Sequence, residues 1–197
     1  SNMSDKPTPS EPKPAATILL LRDGSAGMEV FMVVRHHQID FASGALVFPG
    51  GKADPQDFDS ALIPFLHGEH ADTDMRAAQV SAIREAFEEC GILLAREQGS
   101  TDIISGERLA TLQEFREPMN KGDISLLDFL EQQQLQLACD QLVHFAHWIT
   151  PPMMPKRFDT HFYLAIAPAD HLALHDAMNQ STPYGSPREP PSRRLNQ

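Results

Sequence analysis

The chain has 197 residues, with 27 acidic against 16 basic side chains and a formal net charge of -11. That length suits one domain with a core able to fold alone, and the acidic balance excludes a nucleic-acid surface, which needs basic patches. Two cysteines, Cys90 and Cys139, are too few for a disulfide framework and no apolar run reaches membrane-span length, so the expected location is cytoplasmic, with no membrane partner.

Residues 1–14 are rich in proline and polar residues and are expected to form a disordered tail ahead of a domain over 15–167. Thr17 to Arg22 and Val30 to Arg35 are apolar runs joined through Asp23-Gly24-Ser25-Ala26-Gly27, a hairpin signal. Ala45 to Phe48 predicts a third strand leading into the Gly50-Gly51 turn, and 55–72, with Pro64, Gly68 and several acidic residues, reads as a loop insertion. A helix is predicted from Thr73 as N-cap to Gly91 as C-cap. Residues 96–140 read as a mainly helical insert, from the spacing of Leu109, Leu112 and Phe115 and of Leu126, Leu127 and Leu130. Val143 to Thr150 and Phe158 to Ala167 predict two more strands around the turn Pro151 to Pro155, with Trp148, Phe158 and Phe162 in the sheet core. From 168 to 197 the composition predicts a polar, proline-rich tail, disordered or partner-binding, where the fold is cut short or is completed by a second copy. Strands interleaved with helices point to an α/β fold.

Within the long helix lies Arg84-Glu85-Ala86-Phe87-Glu88-Glu89-Cys90-Gly91-Ile92. Glu85, Glu88 and Glu89 share one face, because residues three and four apart are neighbours on a helix. Val80, Ile83, Phe87, Cys90 and Leu94 fall opposite, and small Ala78 and Ser81 beneath the carboxylates leave room for something to approach. Adjacent like charges repel unless a cation sits among them, and hard cations favour carboxylate oxygens; a solvated acidic face is the alternative. Upstream, Gly44-Ala45-Leu46-Val47-Phe48-Pro49-Gly50-Gly51-Lys52-Ala53-Asp54 supplies a strand and a tight exposed turn.

Together these segments resemble the Nudix hydrolase signature, Gly-x5-Glu-x7-Arg-Glu-U-x-Glu-Glu-x-Gly-U with U aliphatic. Arg84 to Ile92 fits its second half, with Ala86 a weak match. The first half departs: Asp57 stands where Glu is expected after Gly51, and the inserted loop follows it. Trp148-Ile149-Thr150-Pro151 and Arg157-Phe158-Asp159-Thr160-His161-Phe162 look like one subgroup of the family, which includes peroxisomal and bacterial coenzyme A diphosphatase-like members.

The resemblance implies a Nudix-type α/β/α sandwich with a mixed β-sheet and an extra helical insert. It implies Mg²⁺- or Mn²⁺-dependent hydrolysis of a nucleoside diphosphate-linked substrate. Glu85 and Glu89 would be metal ligands, with Glu88 a third ligand or the group that orients the attacking water. Gly50 and Gly51 would present backbone to metal and substrate, and Arg84 would pair with Glu88. Asp54 and Asp57 become outer or substitute ligands, or merely part of an acidic loop. Arg157 would bind a substrate phosphate or pair with Asp159. His36, His37, His144 and His147 show no metal-ligand spacing and read as ordinary histidines, and Phe41 as a loop anchor. Gly44-x3-Phe48-Pro49-Gly50-Gly51 is part of the coenzyme A-type pattern, but Asp40 occupies its arginine position. Coenzyme A or an acyl derivative is thus the leading substrate, beside ADP-ribose, NADH and nucleoside triphosphates. A non-catalytic domain binding a nucleotide or a protein partner is the competing reading. Homodimers, common in the family, are a further expectation.

Overall fold

The computed structural model describes residues 8–34, 45–180 and 193–194. His36, His37, Asp40, Phe41 and Gly44 lie outside them.

The central strand is β1 (Lys13–Gly24), which turns through Ser25-Ala26 into β2 (Gly27–Val30). The hairpin falls where its glycines predicted it, and β1 begins two residues before the expected boundary at 15. Short strands β3 (Val33–Val34) and β4 (Leu46–Val47) pair with each other, and β5 (Gly50–Lys52) pairs antiparallel with the start of β1, Thr17 opposite Gly50 and Ala16 opposite Gly51. The 55–72 insertion is not a bare loop. It forms two turns of 3-10 helix (Pro55–Phe58 and Ser60–Phe65) and a short strand, β6 (Leu66–His67).

Helix α1 (Thr73–Cys90) follows. Its N-cap is Asp72, one residue before the predicted Thr73, because the Asp72 carboxylate accepts from Met75 N at 3.0 Å. Its C-cap is Gly91 at φ 73°, as predicted. Beyond it run β7 (Ala95–Glu97), α2 (Gly106–Leu112), α3 (Arg116–Asn120), α4 (Leu126–Gln133) and β8 (Leu135–Ala138). Helices dominate this insert as expected, but its ends close a second sheet, β6-β8-β7. Then come β9 (Val143–Ile149), β10 (Phe158–Ile166), α5 (Ala169–Gln180) and β11 (Arg193–Arg194).

The main sheet has the order β11-β2-β1-β10-β9, with β5 also on β1; β1 and β10 are parallel and the other pairs antiparallel. Ala16, Ile18 and Leu20 of β1 are buried, whereas Thr17, Leu19 and Leu21 are only half-buried, the period-two signature of a sheet with one tightly covered face. Helix α1 packs on that face and is buried nearly all round, at Ala77, Ala78, Val80, Ser81, Ala82, Ile83, Arg84, Ala86, Phe87 and Cys90. Ala78 and Ser81 therefore make room for packing protein and not for a ligand.

Two further expectations are corrected. Trp148 is 60% exposed, because β9 is an edge strand whose outward face carries Val143, Phe145 and Trp148 uncovered. The stretch after 168 is not all tail: α5 buries His171 and Leu172. Its Asp170 carboxylate accepts from Gly106 N at 2.6 Å, and His175 Nδ1 bonds Cys90 O at the end of α1 at 3.0 Å. Its polar composition hid a helix that packs with only a few side chains. No helix among the described residues is long and apolar enough to cross a membrane.

Candidate active site

Helix α1 carries Arg84, Glu85, Glu88 and Glu89 to the β5 turn, and the glycines there let the two elements touch. Gly50 N donates to Glu89 Oε2 at 3.3 Å. A Cβ on Gly51 would stand 2.7 Å from Glu85 Oε1, and one on Gly50 would collide with the Ala16 carbonyl. Only backbone without side chains fits between β1 and the carboxylates.

Arg84 organises the cluster. Its Nε and Nη2 donate to Asp57 Oδ1 and Oδ2 at 2.9 and 3.0 Å, and its Nη1 donates to Glu88 Oε2 at 3.0 Å. Glu85 Oε1 lies 3.4 Å and Asp54 Oδ2 3.6 Å from Nη1. The side chains of Arg84 and Asp57 are 2% and 0% exposed, so this two-point fork is a buried ion pair. Burial works against charge on both partners and raises Asp57, a rise that the bonds from Arg84 offset only in part, while the two-point fork is the geometry of an ion pair. Burial would likewise lower Arg84, but Asp57, Glu85 and Glu88 outweigh it. Asp57 is held a second time by Asp54 N at 2.8 Å. It is thus not a free metal ligand. It is the anchor of Arg84, and Arg84 positions Glu88, the pairing the resemblance implied.

The carboxylates themselves are short of positive charge. Burial raises Glu88 to about 7 despite Arg84, with Glu85 adding to the rise. Glu89 is raised by burial and by Glu85, with which it shares a hydrogen bond; Glu85 is raised chiefly by burial. Three half-buried carboxylates, each raised by burial, are a donor set suited to a hard divalent cation, all oxygen. Glu85, Glu88 and Glu89, beside the Gly50-Gly51 turn, are the residues that would hold such an ion.

Arg157 is drawn into a different task. Its Nε donates to Thr150 O at 3.1 Å and its Nη1 to Ser10 O at 2.6 Å, tying the mouth of the β9–β10 turn to the segment before β1. Asp159 bonds His147 instead. Of the two roles weighed for Arg157, these bonds are those of a structural strut, with backbone carbonyls in place of Asp159 as its partners. Sequence reasoning also missed Arg116, whose Nε donates to Phe87 O at 3.0 Å and to Glu88 O at 3.3 Å. A cation capping the carbonyl end of α1 steadies the turn that carries the glutamates. Nothing in its local sequence marked it, because its partners lie 29 and 28 residues back, beyond β7 and α2.

Comparison with known proteins agrees with the geometry. A family model described as the NUDT19 Nudix domain matches residues 66–190. The peroxisomal coenzyme A diphosphatase ndx-8 of Caenorhabditis elegans is 33% identical over 93 residues, covering 46% of this chain and 32% of that protein. The acyl-coenzyme A diphosphatase NUDT19 of Xenopus laevis is 24% identical over 183 residues, covering 73% of this chain and 48% of that protein. The chain thus spans about a third to a half of the length of the curated relatives it matches. The crystal structure of a NUDIX hydrolase from Alicyclobacillus acidocaldarius superposes with a TM-score of 0.60 at 30% identity, over 80% of this chain and 71% of that one.

Proposed function

The chain belongs to the NUDT19 Nudix domain family, and from that premise we propose that it is a divalent-metal-dependent pyrophosphohydrolase acting on a nucleoside diphosphate-linked small molecule. The observation that carries this reading is Glu85 and Glu89 set against the Gly50-Gly51 turn, with Glu88 held beside them by Arg84 and all braced by the buried Arg84–Asp57 pair. A binding module has no need of a carboxylate cage held this tightly. The reaction is attack by water on one phosphorus of the diphosphate, with the other phosphate leaving as a monoester. A bound Mg²⁺ or Mn²⁺ would neutralise the diphosphate and stabilise the charge that builds on its oxygens. Glu85 and Glu89 would hold that ion, and Glu88, fixed by Arg84, would be a third ligand or orient the water. Arg84 is a positioning residue, because its donors are taken up by protein carboxylates.

Coenzyme A or an acyl derivative is the substrate we favour, since two of the relatives are named for that activity. The visible Phe48-Pro49-Gly50-Gly51 turn supports it. The two buried cysteines, Cys90 and Cys139, support a reducing compartment, and we infer a cytoplasmic setting. The test is a chromatographic screen of coenzyme A, ADP-ribose, NADH and nucleoside triphosphates, with Mg²⁺, with Mn²⁺ and with chelator. Metal-dependent cleavage that Glu89→Gln abolishes supports the proposal. Silence across the panel from a folded, metal-loaded protein would replace it with the non-catalytic, nucleotide- or protein-binding reading.

A further inference from the structure

A second constellation lies on the edge of the main sheet, and local spacing gave no hint of it. His147 on β9 stands directly opposite His161 on β10, and Asp159 lies two residues before His161 on the same face. The two imidazoles stack with centroids 4.1 Å apart. His147 Nε2 bonds Asp159 Oδ1, and His161 Nε2 lies 3.8 Å from the same oxygen. One ligand atom from each residue falls within 4.8 Å of the others. Ligands on a tetrahedral ion with bonds near 2.0–2.1 Å are about 3.3 Å apart, so a small rotation of His147, an exposed side chain, closes the set.

A fourth residue completes the argument. His144 Nε2 is 3.0 Å from His161 Nδ1. In the tautomer in which His161 Nδ1 donates to His144, the Nε2 lone pair of His161 points toward Asp159. That is how outer partners orient metal-bound histidines. The register row His147–His161–Ala16–Gly51 crosses four strands, so His161 and the Gly51 turn share a sheet face two strand spacings apart, about 10 Å. The cluster is a separate site from the glutamates.

We propose that His147, Asp159 and His161 form a second metal site for a first-row transition ion of the Zn²⁺ class, clamping edge strand β9 to β10. Two imidazoles and one carboxylate favour such an ion over Mg²⁺, which demands oxygen ligands. The proposal stands whether or not the glutamate site is catalytic.

The experiment uses the full chain, stripped with chelator, reloaded with Zn²⁺ and dialysed against excess Mg²⁺ before its metal content is measured. Retention of one Zn²⁺ per chain is expected. The Glu85→Gln/Glu89→Gln double variant should keep it, whereas His147→Ala and Asp159→Asn should each weaken it by about tenfold or more. Wild-type retention in both His147→Ala and Asp159→Asn, or loss confined to the glutamate variant, overturns the proposal. X-ray absorption on Zn²⁺-loaded wild type reads the ligands without any variant. Imidazole scattering is expected, and a shell of oxygen alone would refute the assignment.

Discussion

Arg84 and Asp57 decide the candidate site at the residue scale. A single guanidinium binds Asp57 through two donors and Glu88 through a third, so the glutamate face is assembled from behind. Asp57→Asn removes the charge partner of a buried arginine, and the loss is expected to be about 3–5 kcal/mol in urea or thermal unfolding. Glu89→Gln is the opposite case. It relieves crowding between Glu85 and Glu89, so the melting temperature should hold or rise while metal-dependent hydrolysis falls by about a hundredfold or more. Glu88 titrates at about 7 in the folded chain against 4.5 ordinarily, with burial as the main cause. The folded state therefore binds more protons than the unfolded one between those values. Its contribution to stability is complete below 4.5 and is lost as the pH rises through about 7. Without metal, wild type should lose stability relative to Glu88→Gln over that window, and added Mg²⁺ should reverse the trend. Paired melting curves across the pH range read this directly.

At the scale of elements, α1 is positioned by its two ends and by the strand it leans on. Asp72 caps the first turn, Gly91 turns the chain away in the left-handed region, and Arg116 and Gln113 bind the last carbonyls. Gly91→Ala meets both a positive φ and the Gln113 Oε1 atom 2.5 Å from the new Cβ. It should cost about 1 kcal/mol or more of stability. Gly51→Ala is different, because its Cβ meets only the movable end of Glu85. The fold should survive, while Mg²⁺ affinity, measured by calorimetry, drops by about tenfold as Glu85 is pushed aside. Both glycines are visible in the sequence. Which one guards stability and which one guards the site is set by what each faces.

For the whole molecule, α5 ties the insert to α1 through Gly106, Ile104 and Cys90, which the composition of that stretch did not announce. Deleting everything after Pro168 should therefore lower the melting temperature and expose the core near Leu172, where a dispensable tail would leave the melting curve unchanged. Much was legible beforehand, because helix and strand periodicity are local. The hairpin, α1 with its Gly91 cap, the strands β9 and β10 and the Glu85-Glu88-Glu89 face all follow from spacing within a few residues. Asp57 could be counted from Gly51, but its task could not, since its partner Arg84 lies beyond the insertion. Arg157 stood open between a phosphate and an ion pair, and only the fold sets it against two backbone carbonyls, while the exposure of Trp148 depended on β9 lying at the edge. The histidines of β9 and β10 are scattered along the chain and become a cluster only when two strands pair in one register. By itself the sequence determined the hairpin, α1, β9 and β10 and which helix face is charged, because those properties repeat over a few residues. Tertiary structure alone decided which charges are neutralised, which arginines are struts and where histidines meet, because those depend on contacts between segments that only the folded sheet brings together.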